Sequence, residues 1–305
     1  MRNAIGGLGS YTKHWTLKPG ATDKGGHLVK TLDNFEAKFK NMKISIVMPA
    51  YNASKYIEET ILSVVGQTFR EWELIIIDDA STDNTVEIVE DYIDREPRIS
   101  LVKLETNFGA PAGPRNRGVS ESRYDWIAFL DSDDLWHEKK LEIQVAVLKK
   151  TEALFLSTQM QRFKTVASFD RALELDESIP TKSISYIRQL IRYATPTSSV
   201  LVRKDVILRC LFEENIMWRA REDLDCWLRI HRYIGHSVKI ELPLVGYRVI
   251  SGQISGNKFE MIRKTYFCFR NSKGVPNFPL GILPLILTVF HFTGAVINRL
   301  IGNKL

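Results

Sequence analysis

The 305-residue sequence is poor in the residue patterns that mark several common protein classes. Its six histidines show no metal-ligand spacing. No positively charged and then apolar leader opens the chain, so we expect no secretion and a reducing cytoplasmic environment. The cysteines are odd in number and far apart in the sequence, which fits neither a disulfide framework nor a zinc site: Cys210, Cys226 and Cys268.

Two nucleotide-binding motifs are also absent. None of the predicted strands is followed by G-x-G-x-x-G or by G-x-x-x-x-G-K-[ST], so dinucleotide and P-loop sites lose their main support. The chain has 42 Lys and Arg against 36 Asp and Glu, but no base-stacking aromatic pattern accompanies this excess. We therefore expect no nucleic-acid partner.

The positive charge is concentrated in the last fifty residues. Residues 256–305 contain seven basic side chains and one acidic side chain, together with the uncharged apolar run 278–297. Basic residues beside an apolar run are typical of proteins that contact the anionic inner leaflet of a membrane. Because Pro279, Gly281 and Pro284 interrupt the first third of the run, a shallow or re-entrant membrane helix is preferred here. A spanning helix and a helix of the soluble core are the alternatives.

Residues 43–131 alternate between strand and helix patterns. Short apolar strands are predicted at Ile44–Met48, Leu74–Ile77, Ile99–Leu104 and Trp126–Leu130, with helices between them. This alternation indicates an α/β fold whose parallel sheet has right-handed crossovers. The polar loops then gather at one edge of the sheet, where they bring together Tyr51, Asn52, Asp78, Asp79, Arg115, Asn116, Asp131 and Asp133.

Three carboxylates follow the fourth predicted strand directly, at Asp131, Asp133 and Asp134. Ligands of α/β proteins bind beyond the carboxyl ends of the strands, and carboxylates at that position favour a hard cation. Mg²⁺ or Mn²⁺ held by one or two carboxylates usually also binds substrate phosphates. A simple turn is the alternative, since Asp and Ser are ordinary turn residues.

The second half of the chain has a looser pattern. Leu135–Leu148 is predicted to be a helix and Thr197–Arg203 a strand. A further helix begins near Ala220 with three carboxylates in its first turn, which a helix dipole alone could explain: Glu222, Asp223 and Asp225. Trp227 shares a helix face with Asp223, so core packing is the favoured interpretation and stacking on a sugar the minor one.

Five motifs follow one another along the chain: Val47-Met48-Pro49-Ala50-Tyr51-Asn52, Ile77-Asp78-Asp79-Ala80-Ser81-Thr82-Asp83, Arg115-Asn116-Arg117-Gly118, Phe129-Leu130-Asp131-Ser132-Asp133-Asp134 and Arg221-Glu222-Asp223. Their order and spacing resemble those of the inverting family 2 glycosyltransferases of bacterial O-antigen and teichuronic-acid synthesis. The resemblance covers residues 43–250 and implies a GT-A fold. In that fold a Rossmann-like, mostly parallel sheet is joined to an acceptor-side subdomain, followed here by an apolar and basic helical tail.

The resemblance also implies a role for each motif. Uracil and ribose of a UDP-sugar would lie against Pro49, Tyr51, Asn52 and Asp79, with Asp78 supporting the loop. Arg115 would lie near the nucleotide. Asp131 and Asp133 match the D-x-D pair that contacts the ribose and a diphosphate-bound Mn²⁺ or Mg²⁺.

Two further assignments concern the second half of the chain. Asp223 matches the catalytic base. Glu222 would bind acceptor hydroxyls or orient the loop, and Trp227 is a second candidate for contact with the acceptor. Many relatives carry a histidine after the residues equivalent to Tyr247-Arg248, whereas Val249-Ile250-Ser251 follows here, which puts a third protein ligand to the metal in doubt.

The expected organisation has four parts. Residues 1–41 form an N-terminal extension expected to be disordered, and 42–134 form the nucleotide-sugar-binding half. Residues 135–255 form the acceptor-binding and catalytic half, and 256–305 form the membrane-associating tail.

The expected reaction is transfer of glucose or galactose from a UDP-hexose to a polyprenyl-diphosphate-linked acceptor, GlcNAc-diphospho-undecaprenol. The product would serve O-antigen, lipopolysaccharide or related surface-polysaccharide synthesis. The enzyme would act at the cytoplasmic face of the inner membrane as a peripheral or monotopic protein. Two alternatives are a nucleotide-sugar-binding protein without turnover and a nucleotidyltransferase, whose Gly-rich phosphate loop is missing.

Overall fold

The computed structural model describes residues 42–169, 178–191, 195–250, 258–276 and 282–291. The chain divides into two units, Met1–Met42 and Lys43–Leu305, and all elements given below belong to the second unit. The N-terminal extension predicted at 1–41 lies outside the described residues.

The first half of the sheet is entirely parallel, which confirms the predicted α/β fold. Its spatial order is β3-β2-β1-β4, and each crossover contains a helix. The strands are apolar and, apart from β3, mostly buried, as expected of a parallel sheet covered on both faces. The elements are β1 (Ile44–Ala50), α1 (Ile57–Val65), β2 (Trp72–Asp78), α2 (Thr85–Ile93), β3 (Ile99–Lys103), α3 (Ala112–Glu121) and β4 (Trp126–Phe129).

Strand β1 continues through Pro49, where the sequence predicts its end. Pro49 pairs in register with Ile77 of β2. The carbonyl of Val47 accepts a hydrogen bond from the N–H of Leu130, so alternate residues of β1 face the β4 side. Because β4 ends at Phe129, the missing N–H of Pro49 breaks no ladder bond, and the strand extends two residues closer to the site.

The second half of the sheet mixes parallel and antiparallel pairs. Strand β8 joins β4 to β6, β6 runs parallel to β9, and β9 pairs with both β5 and β7. One sheet therefore crosses the predicted boundary at residue 134. The elements are β5 (Leu135–Trp136), α4 (Lys140–Thr151), β6 (Phe155–Phe163), β7 (Thr181–Ser185), α5 (Tyr186–Ile191), β8 (Leu201–Arg203), α6 (Lys204–Leu208), α7 (Glu222–Ile234) and β9 (His236–Arg248).

The helix predicted from Leu135 is wrong over its first residues. Leu135 and Trp136 form a short strand opposite Gly246 and Val245 of β9, and the helix begins only at Lys140. A two-residue strand has no periodicity of its own, so its apolar residues extend the helical pattern that follows it.

Helix α3 lies against β1 and β2, and one glycine allows this close approach. A Cβ atom on Gly118 would overlap the side chain of Val47. Since Arg115 and Asn116 lie three and two residues before Gly118 on the same helix, the contact also sets their distance from the sheet edge.

The residues after 250 include two helices that pack on the body of the protein. Helix α8 (Lys258–Asn271) and helix α9 (residues 282–291) share an apolar cluster with α7. Within the described ranges, no helix combines the length and hydrophobicity needed to cross a membrane. The predicted tail thus contains elements of the folded unit, whose shared cluster consists of Leu190, Leu224, Leu228, Cys268, Phe269, Val275 and Leu287.

Candidate functional site

A cavity of about 510 Å³ lies beyond the carboxyl ends of β1, β2 and β4. It brings together seven of the residues predicted for the donor site, which are Pro49, Tyr51, Asn52, Asp79, Arg115, Asp131 and Asp133. The loops that carry these residues meet here because the carboxyl ends of parallel strands lie at the same edge of the sheet.

The loop after β1 provides one wall of the cavity. Tyr51 is 52% exposed, so its ring has a free face for a planar group. Asn52 has a positive φ of 48°, a conformation that Asn tolerates better than most residues. Its side-chain carbonyl accepts a hydrogen bond from the N–H of Thr82 at 2.8 Å, and its own N–H donates to Ser81 Oγ at 2.9 Å. Asn52 therefore joins the loops after β1 and β2.

Two adjacent carboxylates at the end of β2 have different surroundings. Asp78 accepts a hydrogen bond from the N–H of Ser81 at 3.1 Å, which supports the loop. Asp79 lines the cavity and accepts from the N–H of Phe108 at 2.9 Å. Burial, and to a lesser degree the charge of Asp78, raise the pKa of Asp79 above its ordinary value, although the hydrogen bond from Phe108 opposes this.

Arg115 connects the two halves of the site. Its guanidinium donates to Asp131 Oδ1 at 2.6 Å and to Glu222 Oε1 at 3.3 Å. Arg115 and Glu222 are each only 4% exposed, so both charges depend on this pairing. Burial lowers the pKa of Arg115, but Asp131 and Glu222 outweigh it and the net pKa is raised. The arginine therefore stays charged at every working pH.

Glu222 begins helix α7 and lies beside Asp223. Burial, followed by the charge of Asp223, raises the pKa of Glu222 to about 7, while Arg115 opposes the rise. A side chain that is this enclosed and ion-paired has a structural contact with Arg115, and its predicted contact with acceptor hydroxyls stays a prediction.

The carboxylates after β4 form a cluster with one buried and two cavity-lining members. Asp134 accepts from Ser198 Oγ at 2.6 Å and from the N–H of Arg248 at 3.2 Å. Asp131 and Asp133 line the cavity. Burial, and then the charge of Asp131, raise the pKa of Asp133 to about 6. Ser198 also accepts from the N–H of Asp131 at 3.1 Å, which ties this turn to the 3-10 turn Thr197–Ser199 before β8.

This donor set fits a metal ion that shares its coordination with a substrate. In the part of the chain that the structure describes, no group of three or more His, Cys, Asp or Glu could hold a metal by itself. Asp131 and Asp133 supply two oxygen donors, which matches the one or two carboxylates that Mg²⁺ commonly uses beside phosphate oxygens. Ile250 lines the same cavity after Arg248 and offers no ligand atom in its side chain.

Asp223 is not among the residues that line this cavity. It lies next to Glu222 at the start of α7, close enough to Arg115 for its charge to raise the pKa of that arginine. Its Oδ2 accepts from Thr197 Oγ1 at 3.4 Å. The structure thus places Asp223 beside the donor cavity, on the side of the second half of the sheet.

Trp227 does not line the cavity and is not exposed, so its predicted contact with the acceptor is wrong. Its side chain is fully buried, with 0% exposure, and its ring contacts three phenylalanine rings at centroid distances of 5.3 to 6.0 Å: Phe129, Phe155 and Phe212. The helix turns Trp227 toward the sheet, whereas Asp223 at the first turn remains near the edge. Core packing, the interpretation that the sequence favours, is confirmed.

Three residues of the site escaped the sequence motifs. Asn107 donates from Nδ2 to the carbonyl of Asp79 at 2.8 Å, and it follows a strand as Asn52 does, which is a usable signal. Ser198 lies in a Thr-Ser-Ser turn that has no distinctive pattern. Arg219 lines the cavity from the loop before α7, where only its proximity to Asp223 in sequence could have indicated it.

Comparisons with known proteins give one consistent family. The model described as Glycosyl transferase family 2 matches residues 45–211. An uncharacterized glycosyltransferase of Haemophilus influenzae is 47% identical over 273 residues, covering 86% of this chain and 98% of the relative. A protein named for teichuronic acid biosynthesis, the glycosyltransferase TuaG of Bacillus subtilis, is 33% identical over 74% of this chain and 87% of its own length.

A third relative has a name that states a reaction. The UDP-Glc:alpha-D-GlcNAc-diphosphoundecaprenol beta-1,3-glucosyltransferase WfgD of Escherichia coli is 30% identical over 73% of this chain and 83% of its own length. The matched segments of all three relatives are long enough to include both halves of the sheet.

Solved structures show the same fold. TarS 1-349 of Staphylococcus aureus in complex with UDP-GlcNAc superposes with a TM-score of 0.60 at 23% identity, covering 76% of this chain and 68% of that one. The mannosyltransferase PcManGT of Pyrobaculum calidifontis in complex with GDP-Man and Mn²⁺ gives a TM-score of 0.57 at 16% identity, covering 87% and 78%. At these identities the likeness concerns the fold alone.

Proposed function

Because the chain belongs to glycosyl transferase family 2, we propose that it transfers glucose or galactose from a UDP-sugar to a lipid-linked sugar acceptor, with inversion at C1. The observation that carries this proposal is the ion-pair chain from Asp131 through Arg115 to Glu222, which joins the donor cavity to the start of helix α7. Donor and acceptor chemistry would then meet at Arg115.

The first half of the site has the groups that a nucleotide requires. The half-exposed ring of Tyr51 can stack on uracil, and the carboxylate of Asp79 can accept hydrogen bonds from base or ribose. Asn52 fixes the loop rather than supplying its carbonyl oxygen to the ligand. TarS, a structural neighbour of this chain, is described in complex with UDP and with UDP-GlcNAc, which supports a uridine nucleotide here.

Asp131 and Asp133 are the residues that would hold Mn²⁺ or Mg²⁺. A bound divalent cation supplies Lewis acidity at the diphosphate. Asp131 also orients the site without a metal, because it fixes the guanidinium of Arg115 at 2.6 Å. The complex of PcManGT with Mn²⁺ supports a divalent cation in this fold.

Asp223 would act as the general base. Attack by an acceptor hydroxyl on C1 from the face opposite UDP requires one positioned carboxylate that takes the proton. Such a direct displacement needs no second carboxylate as nucleophile, in contrast to a retaining glycosidase. The position of Asp223 beside the donor cavity, separated from Arg115 by Glu222, supports this role.

The proposed acceptor is a polyprenyl-diphosphate-linked GlcNAc, as in the printed reaction of WfgD. The relative named for teichuronic acid biosynthesis supports a role in surface-polysaccharide synthesis more broadly. A lipid-linked acceptor places the reaction at the cytoplasmic leaflet of the membrane, and the C-terminal helix has a surface suited to that leaflet.

Helix α9 has two different faces. Leu287 and His291 are buried against the body, whereas Ile282, Leu285 and Ile286 are 54%, 57% and 42% exposed. A short helix with an exposed aliphatic face and neighbouring basic residues is typical of proteins that lie in the membrane interface. We therefore propose that this helix docks the enzyme on an anionic bilayer, as a peripheral protein.

A donor and acceptor assay tests the proposed function. The purified protein would be incubated with Mn²⁺, a GlcNAc-diphospholipid and UDP-glucose or UDP-galactose, and the products separated by mass. We expect glycolipid and UDP, with a new β-linkage visible by NMR. Binding of UDP without turnover would identify a binding protein, and release of inorganic diphosphate would identify a nucleotidyltransferase, so either result would contradict the proposal.

A further inference from the structure

Arg219 places a positive charge at the donor cavity that no sequence motif assigns. It lines the cavity together with Asp131 and Asp133. Its Nε atom is buried and has no hydrogen-bond partner among the described residues, and none of the ion pairs in those ranges includes its guanidinium. A buried donor without a partner is costly, so a small shift of this side chain that brings its guanidinium onto a bound anion would be favourable.

The backbone around Arg219 is fixed by helix α8. Lys264 Nζ donates to the carbonyl of Arg219 at 3.0 Å, and Arg221 Nε donates to Thr265 Oγ1 at 2.6 Å. Ala220, between the two arginines, has a φ of 69°, a left-handed conformation that is strained for a residue with a Cβ. Strain at a non-glycine residue persists where the surroundings impose it, and here two contacts from α8 do so.

The other arginines of the site are already ion-paired. Arg115 is already committed to Asp131 and Glu222, and Arg248 is ion-paired with Glu59 at 2.5 Å. Ile250 contributes no charge to the cavity wall. Of the basic side chains that line the cavity, Arg219 is therefore the one with a guanidinium available to an anion.

We propose that Arg219 binds the diphosphate of the nucleotide-sugar and stabilises the departing UDP, an inference that rests on the proposed function. During transfer the bond between sugar C1 and the β-phosphate oxygen breaks, and its electron pair stays on that oxygen. The acceptor oxygen bonds to C1 and its proton passes to Asp223. The terminal phosphate thus gains a negative charge, which a guanidinium stabilises more than it stabilises the intact donor.

A ligand series measures the contact. Isothermal titration of uridine, UMP and UDP in the presence of Mn²⁺ would compare the wild-type protein with Arg219→Ala and Arg219→Lys. We expect unchanged uridine affinity and a 10- to 100-fold loss of UDP affinity in Arg219→Ala, the range of about 1.5 to 3 kcal/mol for a hydrogen bond to a charged group. Arg219→Lys keeps the charge and should recover part of the loss. Arg263→Ala is the matched control, because Arg263 has a 73% exposed side chain on α8 and pairs only at the surface, with Glu260.

Second measurements separate a structural effect from the proposed contact. The affinity for uridine reports whether the cavity is intact, and kcat for transfer should fall in Arg219→Ala more than in Arg219→Lys. Equal UDP affinity in Arg219→Ala and wild type would overturn the inference and leave the proposed function standing. Equal losses for uridine and UDP would also overturn it. Failure of the wild-type protein to bind UDP would instead contradict the proposed function.

Discussion

At the scale of single residues, Asp223 carries the largest expected effect on turnover. Asp223→Asn removes the proton acceptor and nearly preserves its shape, so we expect transfer to fall by roughly 10²- to 10⁴-fold with UDP affinity little changed. Steady-state kinetics and UDP titration would measure both. Asp205→Asn is the control, since that carboxylate is 54% exposed and pairs with Arg203 at the surface. Near wild-type turnover in Asp223→Asn would assign the base to another carboxylate.

The pair Asp131 and Asp133 gives a second residue-scale prediction. EDTA should abolish transfer, and Mn²⁺ or Mg²⁺ should restore it, because the two carboxylates would share the cation with the diphosphate. Asp133→Ala should weaken UDP binding in the presence of metal and leave metal-free uridine binding unchanged. Calorimetry with and without EDTA would measure the UDP and uridine affinities. Full activity in EDTA would contradict the proposed metal dependence.

Residues on loops after buried strands were predictable from the sequence, and residues whose role depends on packing were not. Asp131 and Asp133 follow an apolar run directly, so their position at the sheet edge is a consequence of chain order. The loop that carries Arg219 is held by two contacts with helix α8: Lys264 donates to the carbonyl of Arg219, and Arg221 donates to Thr265. Both partners on α8 lie more than forty residues later in the chain, so no local pattern indicates them.

At the scale of elements, α7 and β9 are joined by a buried histidine. His231 Nδ1 donates to the carbonyl of Trp227 at 2.7 Å, since a carbonyl can only accept, and Nε2 then accepts from Ser237 Oγ at 2.8 Å. Burial lowers the pKa of His231 from 6.5 to about 4. The imidazole is therefore neutral in the folded protein throughout the physiological range.

This buried imidazole predicts a pH-dependent loss of stability. Below pH 6.5 His231 binds a proton in the unfolded chain but not in the folded chain. Its contribution to the free energy of unfolding is therefore fully present above pH 6.5 and is lost as the pH falls toward 4. Between pH 7.5 and 5 the loss should be about 2 kcal/mol in the free energy of unfolding. Urea denaturation of wild type and His231→Gln would show the difference between them shrinking at pH 5.

The parallel half of the sheet was predictable as elements, and the second half only in part. Apolar runs separated by helical patterns locate β1 to β4 well, with errors of one or two residues at their ends. The short strand β5 gains stability only by joining β9, so no local pattern reveals it. The strand predicted at Thr197–Arg203 is confirmed only at its end, as β8, because Thr197–Ser199 forms a 3-10 helix. Pairing between distant segments decides these elements.

At the scale of the whole molecule, the C-terminal helices serve both the body and the proposed membrane surface. Cys268 and Phe269 of α8 are buried beside Leu224 and Leu228 of α7. Deleting everything after residue 256 would expose that face of α7, which begins at Glu222, and would therefore disturb the catalytic side of the site. Removal of the tail is a poor test of membrane binding for this reason.

Substitution of the exposed face of α9 is a sharper test. Changing Ile282, Leu285 and Ile286 to Ser leaves the buried face in place and removes three aliphatic side chains from the proposed interface. At about 1 kcal/mol for each half-exposed side chain, binding to vesicles of anionic lipid should weaken by roughly 100-fold. Vesicle co-sedimentation at constant salt would measure it, with UDP affinity as the check on folding.

A matched variant would change three exposed aliphatic residues elsewhere to Ser: Leu62, Ile187 and Leu208, which are 51%, 57% and 49% exposed on α1, α5 and α6. It should bind vesicles as the wild type does. If both triple variants lose binding equally, general surface hydrophobicity explains the association, and the role of α9 is refuted.

The contacts of α3 with the second half have a consequence for recombining family members. Arg115 pairs with Glu222, and Asn116 exchanges hydrogen bonds with the backbone of Phe212 and donates to Glu214 at 2.8 Å. A chimera that took the donor half from one relative and the acceptor half from another would leave a buried arginine facing a foreign loop. Donor preference could therefore be exchanged intact only if α3 and the segment from 212 to 222 are transplanted together.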